Sequence, residues 1–187
     1  FTVSYTDRAK RDGETDGVDY HYITEKEFHR PFERGEMLEW AEVHGVLKGT
    51  SIEELKRIKQ KGKIPILEID VQGWKNARNM LENSVSVFIL PPTAESLWKR
   101  LEKRGTDSLE ARWHRLITAK KEIEEAVHYH HFILNNDLEA AYKDLKGIVM
   151  DGKAPSMSVA EGKAHCQDLL QEFKTAKWFL DLKKQMG

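Results

Sequence analysis

Apolar and polar positions follow different periods along this chain, and each change of period marks an element. Ile64 to Val71 is a nearly unbroken apolar run, and Val85 to Leu90 is another that ends at Pro91-Pro92. Such runs suit strands covered on both faces, as in a parallel sheet. The stretches between and after them take helical spacing. Thr50 and Ser51 followed by Glu53 and Glu54 read as a helix start, the hydroxyl capping while a carboxylate folds back. That helix runs to about Lys61 and stops at Gly62. Further helices are predicted from about Trp74 to Glu82, from a Thr93 cap to Lys103 with Gly105 closing it, from Ser108 to about His128, and from Leu138 to Met150. Phe132 to Leu134 adds a short strand. Strands alternating with helices predict an α/β fold with a parallel sheet and right-handed crossovers.

Both ends of the chain read differently. Residues 1–50 hold short strands, Tyr20 to Thr24 and Met37 to Val43, among turns with glycines at 13, 17, 35, 45 and 49. Asp151 to Ser158 contains Gly152 and Pro155 and reads as a linker after a first domain of residues 1–150. Residues 159–187 are then predicted as one amphipathic helix, with Ala160, Ala164, Leu169, Phe173 and Leu180 on its apolar stripe, packed on the body or on a partner. Phe1-Thr2-Val3-Ser4 looks like a strand already under way at a start that is not Met, so the chain is expected to be cut from a longer one.

Composition narrows the classes of function. The 187 residues are 40% hydrophobic and 33% charged, enough for a core and a well-solvated surface. Net charge is −1 despite 30 Lys and Arg, so no global basic field draws the chain to nucleic acid or an anionic membrane. The single cysteine, Cys166, leaves no internal disulfide and fits a reducing compartment. No run reaches the length of a membrane span and no signal-type segment is seen. A cytoplasmic monomer or weak dimer is expected.

Candidate chemistry concentrates in three places. The first twenty residues hold Ser4, Arg8, Arg11 and Tyr20 in a turn-rich segment with Gly13 and Gly17. Two guanidiniums three residues apart, with a hydroxyl before them and a tyrosine after, suit a phosphate monoester, because the planar fork of arginine matches phosphate oxygens in pairs. A solvated basic turn is the competing reading of that segment. The second place is Glu39 together with Thr50. The third is Asp70, at the C-terminal end of the apolar run, where open α/β sheets bind ligands and where an acid can also simply cap a helix. Guanine carries an N1–H and an amino group on one edge, both donors, so Glu39 and Asp70 can supply acceptors while Ser4 and Thr50 donate to O6 or to phosphate.

Taken with Pro91-Pro92-Thr93, Arg100-Leu101, Arg104-Gly105-Thr106, Arg115-Leu116 and Asn135-Asn136-Asp137-Leu138, these residues make the chain resemble the guanylate kinases from about Phe1 to Val149. The resemblance implies a P-loop NTPase-like parallel sheet flanked by helices, a small mixed-β GMP-binding subdomain at about residues 4–50, and a helical lid at about 100–116. It implies transfer of the ATP γ-phosphoryl to GMP, with Mg²⁺ carried on ATP. By position, Ser4, Arg8, Arg11 and Tyr20 match the family's GMP-phosphate contacts, Glu39 and Asp70 its guanine-reading acids, and Thr50 a hydroxyl of the same site. Arg100, Arg104 and Arg115 match the lid cations that stabilise charge on the transferred group, and Arg100, Arg104 and Asn135 lie toward ATP.

The sequence departs from the family pattern at three points. No Gly-x-x-x-x-Gly-Lys-Ser/Thr occurs, and Glu161-Gly162-Lys163-Ala164 is the nearest string. In the family that loop precedes the opening strand, so truncation before Phe1 is expected, with GMP binding outlasting catalysis in the chain as written. Val46-Leu47-Lys48 replaces an asparagine and two tyrosines, one of which donates to the GMP phosphate, and Lys48 supplies a flexible charge there. Asp7 and Lys10 replace a threonine and a proline, and Asp7 is expected either to orient an arginine or to repel the phosphate. The alternative is a non-catalytic guanylate-kinase-like module that binds protein in a scaffold; retention of Asp70, Arg100, Arg104 and Arg115 favours the enzyme. His128, His130 and His131 read as a helix-to-strand junction rather than a zinc site.

Overall fold

A computed structural model describes every residue from 1 to 187 except His44, Glu82, Arg104, Thr106 and Gly187, and the chain divides into two units, Phe1–Ser84 and Val85–Gly187. In the first unit a mixed sheet is built from β1 (Ser4–Thr6), β2 (Tyr20–Tyr22), β3 (Met37–Val43) and β4 (Val46–Ser51), in the order β2-β1-β4-β3. β1 and β2 run parallel, and β4 is antiparallel to both β1 and β3. Glu39 pairs with Thr50, Ala41 with Lys48, and Ser4 with Tyr20. Opposed residues share a face, so this register gathers Ser4, Tyr20, Glu39, Lys48 and Thr50 on one side of the sheet. A register shift between Met37 and Glu39 sends Met37 to the opposite side, where it packs with Phe28 and Leu47.

Phe28 belongs to α1 (Glu25–Glu33), a helix that the apolar periodicity did not reveal. Its signal is a capping box: Thr24 accepts from the Glu27 N–H, and the Glu27 carboxylate accepts from the Thr24 N–H at 2.8 Å. α2 (Ile52–Gln60) starts behind a Ser51 cap and ends before Gly62, as the hydroxyl-and-acid pattern predicts. α3 (Val71–Ala77) begins three residues earlier than the periodicity predicts, because Asp70 caps it.

Within this unit the apolar run before α3 is no ladder strand. Residues 61–70 belong to no regular element, and Ile64 is 57% exposed. Apart from local bonds to the flanking helices, a Thr2 N–H bond to the Ile66 carbonyl at 2.9 Å is the backbone pairing among the described residues there. One such bond does not make a ladder, so hydrophobic content alone misassigned the segment.

The second unit pairs β5 (Val87–Leu90) and β6 (His131–Leu134) in parallel, Val87 opposite His131 and Leu90 opposite Leu134. Around them lie α4 (Ala94–Lys103), α5 (Leu109–Glu125), α6 (Leu138–Asp151), α7 (Val159–Thr175) and α8 (Lys177–Met186). Leu90, Trp98, Leu116, Phe132, Leu169 and Phe173 form its core. The single helix expected over residues 159–187 is two: at Ala176 the backbone turns to φ −69°, ψ 124°. The break lets Phe179 fold back onto Phe173, with ring centres 5.1 Å apart, and stack on Trp113 at 5.4 Å. Burial of three aromatic side chains offsets the loss of helical continuity.

α7 also holds the start of α4. The Glu172 carboxylate accepts from the N–H groups of Ala94 and Glu95 at 2.8 and 2.9 Å, and His165 Nε2 donates to the Pro91 carbonyl at 2.9 Å. His130 serves the junction before β6. Its Nδ1 accepts from the Ser86 N–H at 3.0 Å, and its own N–H donates to Ser86 Oγ at 3.2 Å. Among the described residues no His, Cys, Asp or Glu side chains gather in threes to hold a metal, and no helix is long and apolar enough to cross a membrane.

Candidate active site

The sheet face in the first unit forms one wall of a cleft lined by Ser4, Tyr20, Glu39, Lys48, Glu68 and Asp70. At its acidic end Glu39 is only 5% exposed and Thr50 is fully buried. Thr50 stands opposite Glu39 in the β3–β4 register and favours its charged form through hydroxyl and backbone, and Ser4 Oγ lies 3.0 Å from Thr50 Oγ1. Either hydroxyl of this pair can donate to the other, so Ser4 and Thr50 are linked beside Glu39. Burial pushes the Glu39 carboxyl above the ordinary carboxylate range; the Thr50 bonds oppose this, and the nearby charge of Asp70 adds to it.

Asp70 is a helix cap and also a residue of the cleft wall. Its Oδ1 accepts from the Gly73 N–H at 2.8 Å and caps α3, while the residue also lines the cleft. Glu39 and Asp70 therefore converge from different elements, one from β3 and one from the helix start that packs on it.

The basic end is organised by a carboxylate that sequence reasoning left without a role. Glu14 receives both ends of the Arg8 fork, Nη1 at 2.8 Å and Nη2 at 2.6 Å, together with the Arg11 N–H at 2.8 Å and the Tyr22 hydroxyl at 2.7 Å. Arg8 holds the Glu14 carboxyl far below the usual carboxylate range, with the Arg11 N–H adding to the effect. Tyr22 is pushed up to about 12, first by burial and then by its bond to that carboxylate. The Arg8 guanidinium lies 5.2 Å from the Tyr20 ring centre, and Lys48 Nζ lies 5.6 Å from the same ring. Tyr20 thus bears two cations. Arg11 gives its backbone to this cluster and keeps an exposed side chain.

Asp7 is engaged with the backbone of β4. Its Oδ1 accepts from the Leu47 N–H at 2.8 Å and extends the β1–β4 pairing by side chain. Glu68 and Glu14 lie in the segments the sequence reading singled out but were given no role there, and Tyr22 was missed. Tyr22 stands two positions beyond Tyr20 on a strand, and that period of two was the available signal.

In the second unit Arg100 on α4 donates from Nη2 to the Asn135 carbonyl at 2.5 Å, bringing two of the predicted ATP-side residues together. Arg115 on α5 pairs with Asp107 at 3.1 Å, and Arg112 with Glu102 at 3.7 Å. Arg104 lies outside the described residues.

Known proteins match this arrangement over most of its length. The sequence profile of the family described as Guanylate kinase matches residues 1–152. The guanylate kinase of Symbiobacterium thermophilum is 41% identical over 172 residues, 92% of this chain and 81% of that protein. The guanylate kinase of Aromatoleum aromaticum is 45% identical over 148 residues, 79% of this chain and 72% of that protein. The crystal structure of guanylate kinase from Anaplasma phagocytophilum aligns with a TM-score of 0.69 at 33% identity, covering 83% of this chain and 76% of that one, and its P-loop NTPase-like α/β fold is the one seen here. A cleft lined by carboxylates together with Tyr20 and Lys48 thus occurs in a chain that the family profile matches over residues 1–152, and the chain belongs to the guanylate kinase family.

Proposed function

We propose that this protein is a guanylate kinase that moves the γ-phosphoryl group of ATP onto GMP, giving ADP and GDP. The observation that carries the reading is the make-up of the cleft in the first unit, where Glu39 and Asp70 share the lining with Tyr20 and Lys48 and where Arg8 lies over the Tyr20 ring. Ionised Glu39 and Asp70 accept from the N1–H and 2-amino group of guanine, a pair of donors that adenine lacks. Ser4 and Thr50 hold Glu39 in place. Arg8, fixed by Glu14, binds the GMP phosphate with Arg11, Tyr20 and Lys48.

A GMP phosphate oxygen then attacks the γ-phosphorus of ATP as the bond to the β–γ bridging oxygen breaks, and ADP leaves. Arg100 and Arg115, with Arg104 by resemblance, compensate charge on the moving group, and Asn135 borders the ATP subsite. Mg²⁺ would enter as part of the ATP substrate and would supply positive charge to its phosphates. We place the reaction in the cytoplasm, where both nucleotides are available.

A coupled assay of ADP formation tests this reading. GMP is expected to be phosphorylated well above AMP at equal concentration. Equal rates for the two would overturn the assignment of the acids, and tight phosphopeptide binding without GMP binding would move the protein to the class of scaffold modules.

A further inference from the structure

Gly73 lies in the first turn of α3, buried, at a backbone conformation open to any residue. Its glycine identity therefore has a cause other than backbone freedom. A Cβ built at this position would stand 2.6 Å from Glu39 Oε2 and 3.2 Å from Asp70 Oδ1. The first distance is shorter than any carbon–oxygen contact between unbonded atoms permits. Asn76 fixes how closely the helix sits: one turn further along α3, its Nδ2 donates to the Trp40 carbonyl on β3 at 3.0 Å.

What a methyl group would strike matters as much as how hard. The hard contact is with the far end of a long side chain and the milder one with the Asp70 carboxylate, and neither is backbone. Glu39 can swing away, so the fold survives and the carboxylate does not keep its place. Alanine also favours a helix interior over glycine. The cost of the substitution falls on the position of Glu39 rather than on stability.

We propose that Gly73 is a positioning residue for guanine selection, its missing side chain forming the notch that seats the Glu39 carboxylate beside Asp70. The proposal rests on the reading of Glu39 as a guanine-binding acid. A substituent at position 73 pushes that carboxylate off the guanine edge, and the loss is confined to ligands that use it.

The test is a double-mutant cycle read by GMP titration calorimetry and thermal unfolding on the full chain, with IMP, which lacks the 2-amino group, as comparison ligand. Gly73→Ala is expected to weaken GMP about tenfold or more, to narrow the GMP-over-IMP preference, and to leave the unfolding midpoint within about 2 °C, the scale of a fraction of a kcal/mol. In a Glu39→Ala background the same change is expected to have no further effect on GMP. Wild-type GMP affinity in Gly73→Ala, or an equal loss in the Glu39→Ala background, would overturn the proposal. Should Gly73→Ala fail to fold, recovery of folding in the double variant supports the notch, and failure of both overturns it. Undiminished GMP affinity in Glu39→Ala alone would instead overturn the guanine reading, and the notch with it, so the two failures are distinguishable.

Discussion

Glu39 and Glu14 show how differently two carboxylates behave within one sheet-and-turn unit. Glu39 is buried with hydroxyl and amide donors and a neighbouring acid, and its proton affinity is raised. Glu14 has an arginine fork, an amide and a phenol, and its proton affinity is depressed. The signs give opposite pH behaviour. A carboxyl raised above its unfolded value binds more protons folded than unfolded, so it weakens the fold as pH rises from the ordinary carboxylate range through the raised value. It also accepts from guanine only once ionised. GMP affinity is therefore expected to fall on acidification at a pH above the ordinary carboxylate range. Because the GMP phosphate itself takes up a proton near pH 6, the profile is compared with that of Glu39→Gln. The variant should bind GMP roughly 10- to 100-fold more weakly at neutral pH, the worth of hydrogen bonds to a charged group, and should lose the Glu39 limb of the profile. Superimposable profiles would exclude Glu39 from the guanine edge.

At the scale of elements, legibility followed the locality of the signal. α2 was readable because Ser51, Glu53 and Glu54 lie together, and Glu39 and Asp70, expected to serve one ligand edge, line one cleft. The Ile64–Val71 run misled because apolar content does not say whether another strand lies alongside. The break at Ala176 was invisible because its cause is Trp113, more than sixty residues away in sequence. The Glu14 cluster was hidden likewise, since a short turn full of charges looks solvated until its carboxylate is seen to take four donors. Glu172 is the sharpest such case: an acid on a polar-looking helix caps the N-terminus of α4, whose far end carries Arg100. Glu172→Ala should cost about 1–2 kcal/mol, as loss of an N-cap does, since two amides lose their acceptor. Unfolding by denaturant should show it as a lower midpoint with unchanged slope. Amide exchange should quicken first at Ala94 and Glu95; unchanged exchange there would show that Thr93 alone, whose Oγ1 accepts from Ser96 at 2.9 Å, holds that turn.

At the scale of the molecule, the family match and the hydrophobic core do not end at the same residue. The profile stops at 152, yet Cys166, Leu169, Phe173, Phe179 and Leu182 all belong to the core of the second unit. Gly162 of α7 sits on the Phe132 ring of β6 so closely that a side chain would enter it, and Phe132 is fully buried. Removing residues 153–187 would therefore strip one face of the β5–β6 pair, expose Phe132, and take from α4 the carboxylate of Glu172, leaving Thr93 as its cap. The loss includes several large side chains at roughly 1.5–3 kcal/mol of burial each, comparable with the whole stability of an ordinary domain. The first unit keeps its own clusters, around Phe28 and around Leu38 with Leu55. The shortened chain should thus lose cooperative unfolding and slow amide exchange in β5 and β6, while the Glu39 side of the sheet keeps some protection. A fragment ending at 152 that unfolded with the full chain's midpoint and slope would mean that α7 and α8 rest on a finished core, and the packing of Phe132 against Gly162 would then contribute little to holding the second unit together.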